Sequence, residues 1–156
     1  MFDVGARVVH PMHGAGIIED IVTERVDGES VEFYVFAMSG LLLKIPVQNS
    51  QSIGIRPIVS CEEMEALLQA LPKLSSDMTT NWSHRYRENL QKLKSGNLYE
   101  VAEVIKGLQQ RDTERGLSTG ERKLLHSARQ ILLSEMMLVF GGSLEEEELR
   151  LQNALF

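Results

Sequence analysis

Cysteine is almost missing from this chain: Cys61 stands alone among 156 residues, so no internal disulfide can form. Cys61 also lies beside Glu62 and Glu63, without the cationic neighbours that activate a thiolate, and is read as inert. No run approaches the ~20 apolar residues that a membrane span requires. The opening Met1-Phe2-Asp3-Val4-Gly5 lacks the basic and apolar blocks of a signal peptide, so a cytoplasmic protein without membrane contact is expected. Catalytic signatures are equally thin. No H-E-x-x-H or G-x-x-x-x-G-K-[ST] element occurs, and the acidic clusters fall on helix starts. His10 and His13 flank Pro11, which excludes a helix, and no Cys or His cluster completes a zinc site. His13-Gly14-Ala15-Gly16 leads into a strand, so its glycines are expected to allow a tight turn and not to cradle phosphate. A hydrolase built on His10 and His13 would need a pocket joining them to an acid. The expectation is a non-enzyme without cofactor, metal or small-molecule ligand.

What the chain does have is a globular balance of 43% hydrophobic and 24% charged residues, enough for one ordinary domain or two small ones. Its net charge of −6 argues at first against nucleic acid, but the distribution is uneven. Residues 1–60 hold four Lys/Arg against seven Asp/Glu, and residues 61–72 add three glutamates and no cation. Residues 73–133 reverse the balance with eleven Lys/Arg against seven Asp/Glu, and residues 134–156 restore it with one against five. A basic island lies between acidic flanks.

The first sixty residues read as short strands: Val8-Val9, Gly16-Ile17-Ile18, Val31 to Phe36 and Leu41 to Pro46 are β-rich runs between turn residues. Asp27-Gly28 and Ser39-Gly40 are hairpin signals. A small curled sheet or barrel is expected, its edges suited to docking another sheet. From residue 60 the signals turn helical. Ser60-x-x-Glu63 opens a short helix stopped by Pro72, Ser75-Ser76-Asp77 forms a loop, and a second helix runs from about Asn81 to Lys94. Asn97-x-x-Glu100 opens a third helix, ending at Gly116, and Ser118-x-x-Glu121 a fourth, ending at Gly141-Gly142. Ser143-x-x-Glu146 caps an acidic last helix, about 143–155, that carries Leu144, Leu149, Leu151, Leu155 and Phe156. The run Glu145 to Glu148 is expected to complement the helix dipole and solubilise. The boundary falls near residue 60, giving a β-module over 1–59 and a compact helical bundle over 60–156.

Trp82 is the only tryptophan, set in Thr79-Thr80-Asn81-Trp82-Ser83-His84-Arg85-Tyr86-Arg87 among cations. An apolar wedge beside phosphate-binding cations is what unstacking a DNA step requires. Spacing argues the other way, because Trp82, Tyr86, Leu90 and Leu93 share one helical face and would point a ring into the core. The first-turn position leaves room for a ring that is half core and half wedge. Arg111, Arg115, Arg122, Lys123 and Arg129 lie on expected helix surfaces, where mixed charge is often only solvated.

Four segments carry a resemblance: Phe2 to Gly16, Lys44-Ile45-Pro46, Asn81 to Arg87, and Arg111 to Glu121. Together they resemble the CarD/CdnL family of bacterial transcription regulators, over residues 2 to about 138. The N-terminal part is also similar to the polymerase-interacting module of the transcription-repair coupling factor, without that protein's motor. The resemblance implies a Tudor-like β-module that binds the RNA polymerase β subunit, joined to a helical domain on promoter DNA at the upstream fork of the bubble. It implies that Trp82 wedges into the minor groove and slows bubble collapse, with Arg85, Arg87 and His84 on DNA; from the basic helix surface, Arg122 and Lys123 are expected to join them. It places Lys44 and Arg25 on the polymerase-facing side, in a monomer associated with the nucleoid through polymerase. The acidic last helix falls outside the resemblance. An adaptor with Trp82 in its core and no DNA contact is the competing reading.

Overall fold

A computed structural model describes residues 1–75 and 77–155. The loop residue Ser76 and the terminal apolar residue Phe156 lie outside the described residues. The chain opens with an antiparallel sheet of β1 (Arg7–His10), β2 (Gly14–Val26), β3 (Glu29–Met38), β4 (Leu41–Pro46) and β5 (Arg56–Pro57), ordered β4-β3-β2-β1-β5. Asp27-Gly28 (φ 51° and 82°) and Ser39-Gly40 (φ 42° and 80°) make both long hairpins. Left-handed φ at both central residues matches the right-handed twist of the strands, and glycine takes the second position without a Cβ penalty.

The sheet curls around Val8, Ile18, Tyr34, Phe36, Ile45 and Ile55. Gly16 lies where β2 passes closest to β3, since a Cβ there would run into the Ala37 carbonyl and the Phe36 ring. A bulge between Ile18 and Asp20 shifts the register, and Ile21 beyond it still packs on this core. The expected antiparallel strands are present, with β2 running on to Val26. Closure into a barrel is not reached among the described residues, because β4 and β5 end the sheet. Pro57 has no N–H with which to extend β5. A 3-10 turn (Val47–Asn49) and the one-turn α1 (Ser50–Ile53) bridge β4 to β5, where no helix was expected.

The helices follow their caps. Helix α2 (Cys61–Ala70) starts from a complete Ser60/Glu63 capping box and gives way to a 3-10 turn at Leu71–Lys73, where Pro72 breaks the ladder. Helices α3 (Trp82–Lys94), α4 (Leu98–Arg115), α5 (Thr119–Phe140) and α6 (Leu144–Leu155) follow. Asn81, Asn97 and Ser118 accept first-turn N–H groups at the starts of α3, α4 and α5. Ser143 Oγ accepts the Glu146 N–H at 3.2 Å at the start of α6. The bundle core gathers Met64, Leu67, Leu93, Val104, Ile105, Leu108, Leu132 and Met136. The acidic start of α6 departs from expectation at Glu147, which is buried against Arg150 at 3.1 Å instead of standing in solvent. Arg150 in turn lies over the Phe140 ring, 4.2 Å from its centre.

Sheet and bundle meet along α5. Val9, Ala15 and Ile131 pack together with Ile58 and Leu138, and Ser134 Oγ accepts the Ala15 N–H at 2.8 Å. Glu135, wholly buried, receives Arg56 at 2.7 and 2.8 Å and the Val59 N–H at 2.9 Å. His10 closes β1 here: its Nδ1 accepts the Met12 N–H at 3.1 Å and its ring lies 4.5 Å from that of His13. Burial, reinforced by the His13 charge, lowers the His10 pKa from 6.5 to about 4.

Candidate nucleic-acid interface

Helix α3 begins where Asn81 Oδ1 accepts the His84 N–H at 3.1 Å, which puts Trp82 in its first turn. The buried line of α3 is Arg85, Asn89 and Leu93, so the helix is rotated from the stripe that spacing alone suggests. Trp82, Tyr86 and Leu90 flank that line, with Tyr86 and Leu90 half-buried and Trp82 47% exposed. The indole stacks on Tyr86 with ring centres 5.4 Å apart and planes 17° from parallel. Its Nε1–H donates to Ser118 Oγ at 3.0 Å. Ser118 is the cap of α5, so the N-termini of α3 and α5 converge at the ring, and both present their positive dipole ends there.

Arg85 requires a correction. Expected on a DNA phosphate, it is only 2% exposed and its guanidinium is taken by Glu121, which is equally buried. Arg85 Nε donates to Glu121 Oε2 at 2.7 Å and Nη2 to Oε1 at 3.1 Å. Nη1 donates to the carbonyls of Thr79 (3.2 Å) and Thr80 (3.0 Å). The hydrogen bonds from Arg85 hold the Glu121 carboxyl below the usual range against the opposing effect of burial, and the same bonds raise Arg85. A guanidinium so committed has no free edge for a phosphate.

The other expected DNA residues remain outside. His84, Arg87 and Lys123 are exposed and form no ion pair among the described residues. Arg122 is exposed and 3.5 Å from Asp112. Because Arg122 and Lys123 are the fourth and fifth residues of α5, the Ser118 contact brings them to the same end of the bundle as Trp82. Ser118 and Tyr86, the partners of the indole, were not among the expected site residues. Their signals were present, as a cap and as an aromatic four residues after Trp82. Gly116-Leu117-Ser118-Thr119-Gly120 also spells G-x-S-x-G, against the expectation that the chain holds no such motif. It joins α4 to α5 and not a strand to a helix, and the Ser118 hydroxyl is engaged by Trp82 and Glu121 instead of a histidine base.

On the sheet, β4 is an edge strand whose Leu41 and Leu42 are 65% and 66% exposed. Lys44, further along β4, pairs with Glu24 of β2. Arg25 donates to the Gly28 carbonyl at 2.9 Å, at the tip of the β2–β3 hairpin. Alternation along β2 turns Arg25 to the face opposite Glu24, so the structure does not bring Arg25 and Lys44 into one cluster. Among the described residues no helix is long and apolar enough to cross a membrane.

Both halves of the chain match known families. Residues 2–59 match the model described as the CarD-like/TRCF RID domain. Residues 66–152 match CarD, C-terminal domain. The second match runs through most of α6, so that helix falls within the family domain, contrary to the expectation that the likeness ends near residue 138. A Bacillus subtilis (strain 168) protein named "Putative transcription factor YdeB" is 34% identical over 143 residues, which cover 90% of this chain and 94% of that protein. With a family match on each half and a relative aligned along nearly the whole length, the chain belongs to the CarD/CdnL family of transcription regulators.

Proposed function

We propose that this protein docks on the β subunit of bacterial RNA polymerase through residues 1–59, a Tudor-like module, and acts on promoter DNA through residues 60–156. Trp82 is the wedge: it enters the minor groove at the upstream fork of the bubble and slows collapse of the open complex. The observation that carries this reading is the half-exposed, immobilised indole at two converging helix N-termini. Arg87, Arg122, Lys123 and His84 surround it as phosphate contacts, while Arg85 acts from within the fold.

The energetics are consistent with this role. Unstacking a step costs a few kcal/mol, and at a melted fork that cost is already met, so the ring favours the open promoter. A cationic face on a chain of net charge −6 binds free DNA weakly. Docking on polymerase raises its local concentration to roughly the mM range. The exposed edge of β4 suits strand addition to a partner sheet, with Lys44 beside it.

The second reading, an adaptor without DNA contact, draws on the withdrawal of Arg85 and the Arg122–Asp112 contact, which thin the cationic face. Open-complex lifetime on purified polymerase separates the two. The wedge reading expects wild type to lengthen the lifetime and both Trp82→Ala and Lys44→Glu to lose the effect, with only Lys44→Glu losing polymerase binding. Full activity in Trp82→Ala removes the wedge. No effect of wild type leaves the adaptor.

A further inference from the structure

Resting on the wedge reading, we propose that Ser118, Glu121 and Arg85 form a seat that fixes the direction of the Trp82 ring before DNA arrives. They are positioning residues, linked in one continuous hydrogen-bond chain. The Ser118 hydroxyl has two acceptor positions and one donor, and all three are used. It accepts Trp82 Nε1–H at 3.0 Å and the Glu121 N–H at 3.2 Å, and donates to Glu121 Oε1 at 3.4 Å. Glu121 is then fixed by the Arg85 fork, and the remaining Arg85 nitrogen clamps the Thr79 and Thr80 carbonyls just ahead of α3. The ring is thus tied through its polar edge to α5, and Arg85, at the other end of the same chain of bonds, holds the Thr79-Thr80 segment that leads into it.

Packing closes the seat. Tyr86 lies against one face of the indole. Gly120 of α5 lies beside both rings: a Cβ at that position would sit in ordinary van der Waals contact, 3.7 Å from Tyr86 Cε2 and 3.8 Å from Trp82 Cζ2. The exposed part of the indole is therefore its remaining surface, held in one orientation. Ordering a side chain on binding weakens affinity by roughly 2- to 10-fold. A ring ordered in advance avoids that loss. A buried ion pair is poorly explained by stability alone, because apolar residues of similar volume usually do as well; its geometry has a use if it sets the wedge.

Trp82 is the sole tryptophan, so its fluorescence reports the seat directly. The deciding variant is Ser118→Gly in the full chain. Glycine keeps helix capping nearly intact but removes the indole's acceptor, and Ser118→Thr restores both cap and hydroxyl. The seat predicts that Ser118→Gly lowers Trp82 anisotropy and raises acrylamide quenching, shortens open-complex lifetime roughly fivefold, and leaves polymerase affinity unchanged. Ser118→Thr returns all readouts toward wild type. Wild-type anisotropy and quenching in Ser118→Gly overturn the seat whatever the wedge does. So does an unchanged lifetime in Ser118→Gly when Trp82→Ala abolishes the effect. Full lifetime in Trp82→Ala instead overturns the wedge, and with it the purpose assigned to the seat.

Discussion

Helix α5 carries a buried glutamate near each end, and each receives a two-pronged arginine from a different part of the chain. Near its start, Glu121 takes Arg85 from α3; near its end, Glu135 takes Arg56 from β5. The two carboxylates are about 21 Å apart along the helix axis. They differ in surroundings. Arg85 and Glu121 are both out of solvent, whereas Arg56 keeps 24% of its side chain exposed; the second donor is a backbone N–H at 2.9 Å for Glu135 and the longer Ser118 hydroxyl contact at 3.4 Å for Glu121. One pair organises the end of the bundle that bears Trp82, and the other joins the sheet to the bundle. A stiff helix thus connects the proposed polymerase-docking half to the proposed DNA-reading end.

The comparison breaks most visibly when each arginine is removed. Arg85→Ala is expected to cost ~3–5 kcal/mol in urea unfolding, because it leaves a buried carboxylate with only the long Ser118 contact and takes the donor from two carbonyls. Arg56→Ala is expected to cost less, about 2–3 kcal/mol, since Glu135 keeps the 2.9 Å Val59 N–H bond and removal of the partly exposed Arg56 side chain opens its carboxylate to water. Equal costs would erase the distinction. Acid sharpens it further. The folded Glu121 carboxyl is held below its unfolded value, so its contribution is complete above the usual carboxylate range and is lost as pH falls through the lower folded value. Trp82 emission should therefore hold steady through pH ~4.3, the ordinary glutamate pKa, and change only below it.

The next effect belongs to the sheet side of the junction. His10 is held neutral, its pKa lowered to about 4, while the unfolded chain binds a proton near 6.5. Between those values the unfolded state holds more protons, so stability falls as pH drops from 6.5 to about 4. The full shift is equivalent to ~3 kcal/mol, and partial access of solvent to the ring scales the expected loss to about 1–2 kcal/mol. His10→Gln should flatten that slope in thermal unfolding across the same pH range.

Much of the fold was legible because local chemistry dictated it. Ser60, Asn81, Asn97 and Ser118 each mark a helix start, and Asp27-Gly28 and Ser39-Gly40 each make a hairpin. What escaped depended on distant partners. The far half of β2 is polar, Thr23-Glu24-Arg25, and is a strand because β3 pairs with it. Two-residue β5 exists only through β1. Arg85 read as a surface cation because Glu121, thirty-six residues on, is what draws it inside. Trp82 was balanced between core and wedge by spacing and position, and its 47% exposure favours neither extreme. A fully buried tryptophan would cost ~3–5 kcal/mol on truncation; with half its surface buried and one hydrogen bond, Trp82→Ala should cost about 2 kcal/mol, and a loss at the top of the buried range in urea unfolding would return the ring to the core.

The smallest stability effect is expected at the opposite end of the molecule, on β4. Lys44 and Glu24 form a surface pair, with side chains 54% and 42% exposed. Exposed pairs contribute roughly 0–1 kcal/mol and fade with salt. Lys44→Glu should therefore shift unfolding by at most ~0.5 kcal/mol, even though it places a second carboxylate beside Glu24. Under the proposed docking its effect on polymerase should be much larger, because the partner would meet the chain at this edge and reversed charge opposes that approach. Measuring polymerase affinity and urea stability on the same Lys44→Glu sample separates the two quantities. Lost affinity with intact stability assigns Lys44 to the interface, whereas parallel losses would mean that the pair holds the sheet together and that its exposure misleads.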